Sequence, residues 1–155
     1  MGMRLTAAAC LALACLAGHG REIELPSDLE GWADWVLDGE AHRDCPFVYN
    51  SDAADRDDYI CAWPGRLDLL VTAEGARFDH SWTVYGDVQW VVLPGDVNTW
   101  PEQVAVNERG AVVVLRNGAP SLRLVPGRHR IRGMFAWDER PPTLAIPSAI
   151  GLLAL

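Results

Sequence analysis

Adjacent Asp79, His80 and Ser81 supply the residue types of an acyl-transfer triad, in which a carboxylate orients an imidazole that deprotonates a hydroxyl. Their adjacency works against them. The alternating polarity around them predicts a strand, and successive strand side chains point to opposite faces, so His80 cannot serve both neighbours as a relay. His42, His80 and His129 carry imidazoles that a transition metal would accept, yet nothing in their spacing brings them together. Asp52, Asp55, Asp57 and Asp58 crowd carboxylates of the kind that hold Ca²⁺. The central Gly and terminal Glu of an EF-hand loop are missing, and a solvated acidic loop is the simpler reading. A glycine-rich phosphate loop, a nucleophile elbow and a metalloprotease helix are all absent from the sequence. The chain is therefore read as non-enzymatic, with no catalytic residue, no metal ligand and no cofactor.

Aromatic and basic side chains offer more. Seven Trp in 155 residues is a heavy load, and sandwich domains display aromatics to sugars and proteins. Trp63 and Trp100 each precede Pro at a strand end and form the candidate surface pair for a ligand. Trp82 and Trp90 fall within alternating strand patterns and are expected in the core, while Trp32 and Trp35 read as packing residues of a helix. Arg128, Arg130 and Arg132 alternate along one strand and project from one side. The plainer reading pairs them with acids of the N-terminal half; the sharper one is a site for an anionic ligand.

All 13 basic residues are Arg, against 21 acids, for a net charge of −8. That balance argues against nucleic acid as a partner. The charge is unevenly divided, since residues 21–108 hold 5 Arg and 19 acids while residues 109–155 hold 7 Arg and 2 acids. The two halves are electrostatically complementary.

The elements that must position these residues begin after residue 20. Residues 1–20 read as a cleaved signal peptide: Arg4 is the positive start, Leu5 to Leu16 form an apolar run too short to span a bilayer, and Ala17, Gly18 and Gly20 offer cleavage sites. Cys15 raises the possibility of a lipoprotein, but that signal wants Leu three places earlier, where Ala12 stands, and ordinary cleavage is preferred. Cleavage leaves Cys45 and Cys61, an even pair in an oxidising compartment, and a disulfide is expected over a metal site, which needs paired short spacings.

Ser27 with Glu30 three residues later forms a capping box, and Leu29, Trp32, Ala33 and Val36 make one apolar stripe, so a short helix is expected over Asp28 to Asp38 with Gly39 as its stop. Glu40 to Tyr59 shows no apolar period and reads as a loop. Beyond Cys61 the period becomes two. Strands are expected at Arg66 to Thr72, Ala76 to Tyr85, Val88 to Val92, Val104 to Val106, Ala111 to Arg116, Ser121 to Val125 and Arg128 to Trp137. Asn117-Gly118 is the strongest hairpin signal, because both central residues of a type I′ turn need positive φ. Close spacing and the lack of crossover helices predict a mainly β domain over residues 21–155, an antiparallel β-sandwich of jelly-roll, galactose-binding-like type. The apolar stretch Leu144 to Leu155 reads as a strand near a chain end, as in an N-terminal fragment of a longer protein.

Leu25-Pro26-Ser27-Asp28-Leu29-Glu30 with Trp32 and Trp35, then Cys45-Pro46, Cys61-Ala62-Trp63-Pro64-Gly65-Arg66-Leu67 and Pro126-Gly127-Arg128-His129, resembles the N-terminal region of large, uncharacterised, signal-peptide-bearing proteobacterial envelope proteins. The resemblance covers most of the chain after residue 20, and Cys-Ala-Trp-Pro-Gly is its most specific part. It implies an exported, membrane-associated product that continues into a longer polypeptide, and it brings no activity or functional residue with it. The expected function is binding or assembly at the periplasmic or outer cell surface, with an envelope protein or a glycan as partner and no transmembrane span in this chain. A carbohydrate-binding domain is the alternative, and a hydrolase a distant third.

Overall fold

The computed structural model describes residues 26–155. The expected signal peptide, its cleavage and the lipoprotein question lie outside them. Helix α1 (Ser27–Val36) matches the expected helix to within two residues. Within it Trp32 and Trp35 meet edge to face with ring centroids 6.0 Å apart, the geometry that aromatic quadrupoles favour. Gly39 at φ 77° stands just beyond the helix, in the left-handed region that suits a C-terminal stop.

From Leu37 onward the chain is a mainly β unit of two sheets. The larger holds β1 (Ala62–Val71), β2 (Gly75–Val84), β4 (Glu102–Val106), β5 (Arg109–Gly110), β8 (Gly127–Ala136) and β9 (Leu153–Ala154) in the order β5-β4-β8-β2-β1-β9. The smaller holds β3 (Gln89–Val92), β6 (Val114–Arg116) and β7 (Ala119–Leu124) in the order β3-β7-β6. Leu67, Phe78, Trp82, Ile131 and Phe135 from the larger sheet and Val91, Leu122 and Leu124 from the smaller share one apolar core. The two sheets therefore form a β-sandwich, as alternation from Ala76 to Val84 and from Ile131 to Phe135 demands.

Three expectations need correction. β1 starts at Ala62, four residues before the expected strand, because Pro64 is accommodated at an irregularity in the register between Pro64 and Leu67. There β1 has a partner on one side only, so the missing N–H costs no ladder bond. β9 runs parallel to β1, with Leu67 opposite Leu153 and Asp68 opposite Ala154. The long non-helical segment after β8 delivers it there, so no crossover helix is required. The expected strand over Ala111 to Arg116 is shortened to Val114–Arg116, which pairs with β7, while Arg109–Gly110, next to the Asn107-Glu108 turn, pairs with β4. Between them the chain passes from one sheet to the other.

The Asn117-Gly118 turn has both residues at positive φ, 51° and 78°, and joins β6 to β7 as a two-residue hairpin. Asn107 and Glu108, at 48° and 70°, do the same between β4 and β5. The expected loop over Glu40 to Tyr59 carries two short 3₁₀ turns and one bridge, Phe47 to Tyr59. Cys45 and Cys61 are joined at its base, with Cα atoms 4.8 Å apart.

Candidate functional site

β2 separates Asp79-His80-Ser81 as strand geometry requires. His80 is fully buried, while Asp79 and Ser81 belong to the opposite face of the sheet. No relay joins the three. The His80 Nδ1 accepts a hydrogen bond of 2.9 Å from the Trp82 indole N–H, which leaves the proton of the neutral ring on Nε2. Nε2 has no well-formed hydrogen-bond partner. Burial holds the imidazole pKa down to about 4, against the weaker opposing pulls of the Gly65 backbone and Asp79. This is a core residue whose charged form the fold resists.

His42 and His129 are engaged locally, with ring nitrogens 3.1 Å from the Gly39 carbonyl and 2.8 Å from the Val125 carbonyl. Among the described residues no group of three His, Cys, Asp or Glu side chains is placed to hold a metal. The acidic loop uses its carboxylates on its own backbone. Asp55 and Asp58 form a reciprocal capping box around one 3₁₀ turn, and Asp52 accepts from the Ala54 N–H at 3.1 Å.

Trp63, Arg128, Arg130 and Arg132, four of the candidate binding residues, lie on the outer face of the larger sheet. Trp63 on β1 stands opposite Thr83 on β2, and Thr83 stands opposite Arg128 on β8. Directly paired residues project from the same face. Ala62 and Val84, the neighbours of Trp63 and Thr83, turn inward to the core, so the row Trp63, Thr83, Arg128 faces solvent. Neighbouring strands are about 4.8 Å apart, which puts the Trp63 and Arg128 backbones roughly 10 Å from each other across Thr83. Trp63 keeps 46% of its surface exposed.

The three arginines differ in their surroundings. Arg130 holds Asp79 through Nε at 2.8 Å and Nη2 at 2.7 Å, and Arg132 adds Nε at 3.1 Å to the same carboxylate. These hydrogen bonds, Arg130 first, keep the Asp79 carboxyl below its ordinary range despite the opposing effect of burial. Arg130 is further fixed through its backbone N–H, which donates to the Asn107 side-chain oxygen at 2.9 Å. Arg128 makes no ion pair among the described residues. An open groove of about 650 Å³ runs beside it, lined by Arg66, Asp68, Asp79, Ser81, Asn107 and Arg130 among others.

Trp100 is not part of this constellation. It is half-buried in the loop before β4, and β4 begins opposite Met134, about 20 Å along β8 from Arg128. The structure thus brings Trp63 and Arg128 together and leaves Trp100 near the other end of the sheet. Thr83 and Asn107 are members of this face that sequence reasoning missed. Alternation from Phe78 places Thr83 on the outer face, but only the pairing of distant strands sets it between Trp63 and Arg128.

Trp82 lies in the core as expected, but Trp90 does not. It is 39% exposed on the outer face of the smaller sheet, with the Arg116 guanidinium 5.0 Å above its ring, and Val91 takes the inward position instead. Val88, Trp90 and Val92 form the more apolar phase of this strand, since Gln89 interrupts the other, yet Val91 and Leu93 are the residues that the core takes.

No helix among the described residues is long and apolar enough to cross a membrane. No family model matches the chain, and no curated protein matches it.

Proposed function

We propose that this chain is an exported module of the bacterial envelope, a jelly-roll sandwich that works by binding or assembly rather than by catalysis. The observation that carries the reading is the outward row of Trp63, Thr83 and Arg128, an exposed aromatic and a cation with no ion pair among the described residues, set on neighbouring strands. Ordered strands present such groups with little loss of freedom on binding. Export is supported by the Cys45–Cys61 disulfide, since such bonds persist in oxidising compartments, and by the resemblance of Cys61-Ala62-Trp63-Pro64-Gly65 to envelope proteins. The jelly-roll topology is supported by the nesting of pairs, with β2 against β8 enclosing β3 against β7 as the chain passes from sheet to sheet and back.

A carbohydrate ligand is the second reading, favoured by the exposure of Trp63 in the same cross-strand row as Thr83 and Arg128. Immobilised protein is presented with envelope proteins and with envelope glycans, beside a Trp63→Ala, Arg128→Ala variant of unchanged circular dichroism. Specific retention that the variant loses supports the binding face. Retention equal for both proteins removes this face from the function, and failure to retain either class removes the reading.

A further inference from the structure

We infer that the outer face of β1, β2 and β8 binds an acidic glycan, with a sugar ring laid on Trp63 and the carboxylate of an adjoining uronic-acid residue held by Arg128. The inference rests on the binding reading above and names its ligand. Three features converge on it. An exposed indole offers an apolar plate to the C–H face of a pyranose ring. About two strand spacings away, Arg128 presents the planar fork of donors that fits a carboxylate, and no protein carboxylate occupies it among the described residues. Thr83 lies between them in the cross-strand row and offers a hydroxyl to a sugar bound there.

Charge points the same way. The chain as a whole carries −8. This sheet face gathers Arg66, Arg77, Arg128, Arg130 and Arg132 against Asp68, Asp79 and the nearby Glu108. Arg130 and Arg132 divide Asp79 between them, and Arg66 is held by Asp68 at 2.9 Å, so the arginines of this face left without an ion pair among the described residues are Arg128, beside Thr83 and Trp63, and Arg77, further along β2. A locally positive patch on an acidic protein draws an anion toward it. A neutral sugar would use Trp63 but leave the guanidinium without a partner.

The test compares oligogalacturonate with its carboxyl-reduced, neutral counterpart, by titration calorimetry on the disulfide-intact protein. The acidic oligosaccharide is expected to bind at least tenfold more tightly, on the order of one charge-assisted hydrogen-bonded contact. Its advantage should shrink as salt is raised. Arg128→Gln should erase the preference, Arg128→Lys should restore part of it, and Trp63→Ala should weaken both ligands. Equal affinity for the two, or a preference that survives Arg128→Gln, overturns the carboxylate assignment and leaves a neutral-sugar surface. Binding of neither sugar by a protein that still captures an envelope protein through this face overturns the glycan but not the binding reading. Loss of both removes the two together.

Discussion

Acid should destabilise this fold well above the pH at which its carboxylates protonate, and His80 is the reason. In the unfolded chain the imidazole takes a proton near pH 6.5, whereas in the core it does so only at about pH 4. Between those values the unfolded state binds more protons, so stability falls as acid is added. The contribution is whole above about pH 6.5, shrinks steadily below it and is exhausted near pH 4. At about 1.4 kcal/mol per unit, the displacement amounts to about 3 kcal/mol, a large share of the stability of a small domain. Urea unfolding followed by Trp fluorescence at pH 7.5, 6.5, 5.5 and 4.5 measures it. Glu40, paired with Arg43, and Asp79, paired with Arg130, are carboxylates held below ordinary values of 4.5 and 3.8, so their stabilisation is lost below this series. His80→Asn is the reference, since its side-chain oxygen can still accept from Trp82 and does not titrate. The wild type should lose most of the 3 kcal/mol relative to this variant between pH 6.5 and 4.5. Parallel stability curves for the two proteins would refute the reasoning.

Two further outcomes follow from the packing. Replacing Cys45 and Cys61 together by Ser should lower stability by about 3 kcal/mol through the freed loop, read as a fall in thermal midpoint that reducing agent does not deepen; an unchanged midpoint counts against that role. Gly133→Ala would set a methyl 2.6 Å from the Phe78 ring and 3.1 Å from Val104. It should cost about 1–3 kcal/mol in urea unfolding, and a neutral result would mean that β8 is free to shift away from Phe78.

Local chemistry made part of this architecture readable. Ala76 to Val84 alternates without a break and is inward and outward in the order its polarity dictates, and Asn117-Gly118 turns where its tolerance of positive φ allows. The even pair of cysteines forms the expected disulfide. Other features are set by contacts between distant residues. Gln89 makes Val88, Trp90 and Val92 look like the inward set, but the packing of Val91 in the shared core overrides that local pattern and sends Trp90 outward. Pro64-Gly65 reads as an interruption, yet this end of β1, which pairs with β2 alone, absorbs it. The candidate face depends on the same long-range register. The common side of Arg128, Arg130 and Arg132 is plain from their spacing, but their different partners are not. Asp79 satisfies two of the three because it lies opposite Arg132 and diagonal to Arg130.

The side-by-side alignment of β9 with β1 bears on how the molecule is assembled. Strands that meet only after most of the chain has been laid down carry a high entropic cost of closure and zip up late. Until Leu153 arrives, the backbone of Leu67 and Asp68 presents open donors and acceptors along a half-finished border. During that interval another polypeptide can occupy the vacancy, so maturation rate, as much as final stability, governs whether copies remain separate.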